Sequence, residues 1–314
     1  MIGKGTCLLK AVCALYFSLM GSLAWALESH SVLQFSMDTE VGRDLSVLNL
    51  TVSQEWDSES EQLFLSDWSA AAGGAQAKTE DLSTGAFLTT RSRHWQASLG
   101  FGYDRHWRAG ASVFSSNTTE PNFTQRGFEA SIGSRAWQLG ASAWAMGFEV
   151  QGSQSRIKQD LNIRILNTQT QREVELDQFE SGISLKFYWL EKVFLSLNLA
   201  EFQYSRSKED LQRAFTSRIL NTVATDLISS LGSLPEKTES IQVIWSATPS
   251  LDLIASAARN TFIVDGSTNR RQKVVLENHY RDWSFGGGIS RSETSFGPET
   301  LALLQLSWTV PETF

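Results

Sequence analysis

His94–Phe114 reads HWQASLGFGYDRHWRAGASVF. Trp95, Ala97, Leu99, Phe101 and Tyr103 fall on one face of an extended chain, with Gln96, Ser98, Gly100 and Gly102 on the other. After a short polar turn the pattern resumes, with Trp107, Ala109, Ala111 and Val113 apolar against Arg108, Gly110 and Ser112. Two strands of period two joined by a tight turn make a β-hairpin. The same arrangement recurs in FEASIGSRAWQLGASAW, ISLKFYWLEKVFLSLNLA, IQVIWSATPSLDLIASAA and around HYRDWSFGGGIS.

The repetition sets out most of the chain. Strands are expected near 93–103, 107–115, 125–134, 137–150, 175–188, 192–205, 239–247, 251–262, 272–281, 283–291 and 301–310. In the N-terminal part 31–40, 45–56 and 61–72 read as strands, with 73–92 an outer loop. The total is about 14, with 12 as the alternative. Connections alternate between short turns and long ones at 115–125, 152–178, 206–238 and 263–272. The stretch 152–178 reads as a β-ribbon extending its strands. The five prolines, Pro121, Pro235, Pro249, Pro298 and Pro311, fall in connections or beyond the last strand, where no ladder N–H is needed.

Residues 1–26 form a separate segment. Lys4 and Lys10 precede the apolar run AVCALYFSLMGSL, and Ala24 and Ala26 occupy the small-residue positions of a signal-peptidase site. Cleavage leaves 27–314 as one domain. Both cysteines, Cys7 and Cys13, belong to the leader, so the remainder has no thiol for a disulfide or a cysteine metal site. It retains 25 basic and 34 acidic residues, a net charge of −9 without a basic block, which argues against a nucleic-acid partner. No later stretch of 18 apolar residues exists, yet ten tryptophans remain. Trp56, Trp95, Trp107, Trp137, Trp189 and Trp283 are placed at or beside strand ends, where amphipathic rings suit a membrane interface.

The last strand, LQLSWTVPETF, alternates Leu304, Leu306, Trp308 and Val310 and closes on Phe314. With that ending, the chain resembles the outer-membrane β-barrel proteins of Gram-negative bacteria, porin-like ones included. The resemblance implies an all-β antiparallel transmembrane barrel, contact with outer-membrane lipid and lipopolysaccharide, and reading of Leu304, Leu306, Trp308, Val310 and Phe314 by the barrel-assembly machinery. Pro311 and Glu312 interrupt the pattern before the terminal aromatic. A closed sheet satisfies every backbone polar group without water, as a bilayer requires. A soluble exported β-sandwich is the competing architecture, and it would turn the apolar face inward.

The polar face then lines an interior of small residues, with Arg108, Glu129, Lys186, Asp252 and Glu277 as its charged candidates. Such a lining leaves room for water, so a narrow passive channel for small polar solutes is the leading functional expectation. A non-conducting scaffold or adhesin using long outer loops is the alternative, and a lipid-modifying enzyme is third. The segment 206–233 is different: Ser207 and Asp210 make a capping pattern, and Leu211, Phe215, Ile219, Val223 and Leu227 recur every fourth residue. A helix in an outer loop is expected there, as a plug, gate or rim cap. Catalytic motifs are absent: there is no G-x-S-x-G, no H-E-x-x-H and no dinucleotide-binding glycine pattern. His94 and His106 bracket one expected strand and cannot share a site, His279 lies near a short-turn end, and His30 sits in the lead-in. No cofactor or metal site is expected.

Overall fold

The computed structural model describes residues 29–42, 45–58, 65–80, 87–102, 107–119, 123–134, 136–139, 143–165, 168–190, 192–207, 209–210, 234–263, 266–294 and 297–312. The strands are β1 (Ser29–Val41), β2 (Leu45–Ser58), β3 (Leu65–Glu80), β4 (Phe87–Gly102), β5 (Trp107–Thr119), β6 (Phe123–Ser134), β7 (Trp137–Gln138), β8 (Trp144–Ile165) and β9 (Thr168–Trp189). They continue with β10 (Val193–Tyr204), β11 (Pro235–Thr248), β12 (Leu251–Phe262), β13 (Thr268–Tyr280), β14 (Trp283–Thr294) and β15 (Gly297–Glu312). Consecutive strands pair antiparallel, except that β6 and β7 both pair with β8, and β1 pairs with β15. The sheet therefore closes on itself.

The two-residue β7 continues β6 along the same partner. Gly133 lies opposite Glu149 and Trp137 opposite Met146, which shifts the register by one residue across the interruption. Counted as one stave, β6 and β7 bring the wall to 14, the expected number, and the alternative of 12 is set aside. Followed from strand to strand, the register returns to β1 about 16 residues from where it began, which tilts the strands by about 38°. A circular wall with those values has a backbone radius of about 14 Å.

Directly paired residues share a face, so the register fixes which side each residue takes. Leu50, Met37, Leu306 and Phe285 form one such row, and Met37, Leu50 and Phe285 are exposed. Ile289 and Leu304, each 62% exposed, lie on the same side, whereas their strand neighbour Leu303 and the paired Val275 are buried. A water-soluble protein does not leave so many large apolar side chains in one contiguous exposed band. The outward row on β9 from Trp189 to Phe179 covers about 26 Å of axial height, close to the apolar band of a membrane barrel. The apolar face thus looks outward, opposite to a sandwich.

At the short-turn end the band is rimmed with aromatics. Trp56 is paired with Trp68, Trp144 lies 6.1 Å from Trp189, and Trp283 stacks at 5.7 Å on Trp308. Trp107 and Trp137 meet edge-on at 6.2 Å. Trp95 is a correction: it lies in the middle of β4, outward and exposed, rather than at a strand end.

Other corrections concern boundaries. The expected loop 73–92 is mostly strand, because β3 runs to Glu80 and β4 begins at Phe87. The turn expected at 135–136 falls later, between Gln138 and Trp144, since β7 prolongs β6. The long connection expected at 115–125 shrinks to 120–122, and that at 263–272 to 263–267. The ribbon at 152–178 is present. β8 and β9 pair from Trp144 with Trp189 to Ile165 with Thr168, well past the point where β10 stops at Tyr204 opposite Gln178.

Candidate functional site: the lumen

The inner face is built from the residues alternating with the lipid-side rows. Small side chains dominate it, including Ser98, Gly110, Ser112, Ser131, Gly182, Ser184, Ser196, Ser240 and Ser256. Among the described residues, its carboxylates are Asp38, Glu40, Glu55, Asp67, Glu129, Glu149, Glu180, Asp252, Glu277 and Glu299, and its bases are Arg108, Lys186, Arg271 and Lys273. The register places Arg108, Glu129, Lys186, Asp252 and Glu277 on this side, opposite the exposed apolar rows.

Most of those bases are already paired. Arg108 donates to Asp67 at 2.5 Å, Lys186 donates to Glu149 at 3.1 Å, and Arg271 bonds Glu40. The first pair uses the space at Gly100, where a β-carbon would overlap the Asp67 carboxylate. Glu180 is held by neutral donors instead, Gln151 at 3.2 Å and Ser153 at 3.1 Å. Glu129 lies in the same row, opposite Ser153, which is itself opposite Glu180. With the bases spent on nearby acids, the surplus field of the lining is negative.

His279 bridges two strands: one ring nitrogen meets Asp252 at 3.0 Å and the other meets Ser284 at 2.8 Å. The residue types match a nucleophile, base and acid. The His279 backbone N–H itself bonds the Ser250 carbonyl at 2.8 Å. His94 is a correction: it lies inside β4, opposite Gly73 and Ser116, and His106 is outside the described residues.

Toward the ribbon end the lining changes character. Gln125 donates to Ser155 at 3.0 Å and to Gln178 at 2.9 Å. Gln178 donates to the Tyr204 hydroxyl at 3.0 Å, and that hydroxyl donates to the Pro235 carbonyl at 2.7 Å. This polar relay joins β6, β8, β9, β10 and β11 on the inside. Next to it lies an apolar cluster of Ile157, Val174, Leu176, Leu234 and Ile263, packed against Phe123 and Tyr204. Leu234 is 1% exposed, and its carbonyl accepts from Ile263 N at 3.0 Å. The far end of the 205–234 connection is therefore anchored over one side of the mouth. At its near end Ser207 Oγ accepts from Asp210 N at 3.1 Å. Leu211, Phe215, Ile219, Val223 and Leu227 lie outside the described residues.

Neither the relay nor the mouth cluster is legible in the sequence. Both depend on register between strands far apart in the chain. The last strand presents Leu304, Leu306, Trp308 and Val310 on the outward side, while Phe314 lies outside the described residues.

No protein-family profile matches the sequence, and no curated protein matches it. Solved structures do resemble the fold. The CymD monoaromatic hydrocarbon channel is 8% identical with a TM-score of 0.50, over 91% of this chain and 89% of that one. OprB of Pseudomonas putida is 6% identical with a TM-score of 0.48, over 90% and 94% of the two chains. The Pseudomonas putida toluene transporter TodX is 10% identical with a TM-score of 0.43, over 93% and 91%. Closure, strand number, outward apolar band and the likeness to CymD agree: this chain has the fold of an outer-membrane β-barrel.

Proposed function

We propose that the protein is a passive channel of a Gram-negative outer membrane that passes small polar solutes and favours cations. The observation that carries this reading is the acid-rich inner wall, whose bases are mostly neutralised by neighbouring carboxylates. A wall radius of about 14 Å lined by serine, glycine and alanine is too wide for its own side chains to fill. Outer-membrane residence is supported by the apolar band, the aromatic rim and the leader at 1–26. CymD is a monoaromatic hydrocarbon channel. The hydroxyl, amide and carboxylate lining described here suits polar cargo instead.

In this reading the 206–233 segment, carrying Leu211, Phe215, Ile219, Val223 and Leu227 on one helical face, narrows the mouth beside the Leu234 cluster. The outward Leu304, Leu306, Trp308, Val310 and the terminal Phe314 serve as the signal for the assembly machinery. The test is reversal potential in planar bilayers across a tenfold KCl gradient. The sign should be that of cation preference, between zero and the ideal limit of about 59 mV. Anion preference, or no conductance at all, overturns the proposal.

A further inference from the structure

The outer wall between β9 and β13 is indented into a groove of about 490 Å³. Its bed consists of the outward side chains Ile183, Leu197, Leu199, Ile241 and Ala257, and the single methyl of Ala257 leaves the depression between larger neighbours. At the edge nearer the ribbon end the groove is lined by Arg259 and Arg270. These two arginines are direct cross-strand partners, both exposed and both outward.

Like charges placed directly opposite destabilise a sheet. The flanking acids relieve the conflict only in part. Glu239, opposite Arg259, is bonded along its own strand to Lys237 at 2.7 Å, and Glu293, opposite Arg270, to Arg291 at 3.2 Å. Neither Arg259 nor Arg270 has an ion pair among the described residues. Two guanidinium groups side by side above an apolar trough fit one chemistry: a phosphate group carried on acyl chains.

We infer that this groove binds the phosphorylated, multiply acylated glycolipid of the outer leaflet, with phosphate between Arg259 and Arg270 and acyl chain along Ile241 and Ala257. The inference rests on the outer-membrane reading above, which puts the ribbon end at the outer leaflet. Other outward cations above the apolar band, Arg93 on β4 and Arg126 on β6, give the same rim a positive margin.

The experiment is native mass spectrometry of the detergent-solubilised full barrel titrated with purified diphosphoryl lipid A, its dephosphorylated form, and phosphatidylglycerol. One lipid A per barrel is expected, with about tenfold weaker binding in the Arg259→Gln/Arg270→Gln double variant and for dephosphorylated lipid A. Glu239→Gln should bind at least as well as the parent. Ala257→Phe, which fills the trough and keeps both arginines, should bind more weakly. Arg93→Gln should leave the affinity unchanged. Equal affinity of parent and double variant, equal binding of dephosphorylated lipid A, or equal binding of phosphatidylglycerol overturns the site. Conductance in bilayers free of lipid A reports the channel separately, so a conducting barrel without lipid A preference overturns only the groove assignment.

Discussion

Replacing Leu276 with arginine probes the outer face near the middle of its apolar band. Leu276 is outward on β13, 51% exposed, paired with Leu253 on one side and Gly287 on the other. It lies between the aromatic rim at Tyr280 and the polar Gln272, near the middle of the apolar band. A charged side chain at the midplane costs about 2–4 kcal/mol. Loss of the half-exposed leucine surface from lipid adds about 1 kcal/mol. Leu276→Arg should therefore destabilise the barrel by about 3–5 kcal/mol. Gln272 is also outward, about 10 Å higher along the axis at the strand tilt, and Gln272→Arg should cost only about 0–1 kcal/mol. The assay is equilibrium unfolding in urea with refolding into phosphatidylcholine vesicles. A steep difference between the two variants is the signature of lipid. If both cost the same, or if Leu276→Arg is neutral, the outer face meets water and the reasoning fails.

Three other outcomes follow from particular contacts. Lys186→Met removes the partner of Glu149, so the reversal potential should move further toward the cation limit, while Glu180→Gln should move it back; equal and unchanged potentials would contradict an electrostatic lining. Deleting 208–232 should raise the single-channel conductance while leaving the Leu234 anchor in place, and an unchanged step size would show that the segment does not narrow the mouth. Arg281 occupies the left-handed region with φ 54° in the two-residue turn between β13 and β14, so Arg281→Asn should stabilise refolded barrels by about 0.5–1 kcal/mol in urea titrations.

The wall was largely legible because a two-sided environment writes a period of two into the chain. Strands with strong contrast, such as β5, β14 and β15, are legible to within a few residues. The error at 73–92 has a physical origin: Ala70, Ala71, Ala72, Gly73, Gly74 and Ala75 carry almost no contrast between faces, although the register alternates them outward and inward. The turn after β6 lies later than the alternation suggests because the one-residue slip at Gly133–Trp137 reverses the pattern locally. Lumen chemistry was less legible. The Asp67–Arg108 pair joins positions 41 residues apart across β4, and the Glu40–Arg271 pair joins positions 231 apart that only closure of the sheet brings together. Likewise, the Arg259–Arg270 opposition is invisible until the β12–β13 register is known.

Because the only cysteines, Cys7 and Cys13, both precede β1, single cysteines can be introduced cleanly into the barrel. Labelling in vesicles with a charged, membrane-impermeant maleimide tests the central claim at neighbouring positions: Leu276 against Glu277, and Leu304 against Gln305. The account predicts that Glu277→Cys and Gln305→Cys react from the aqueous lumen while Leu276→Cys and Leu304→Cys stay protected by acyl chains. Reaction of the leucine positions with protection of their neighbours would place water outside and a packed core within, and would contradict a lipid-facing cylinder.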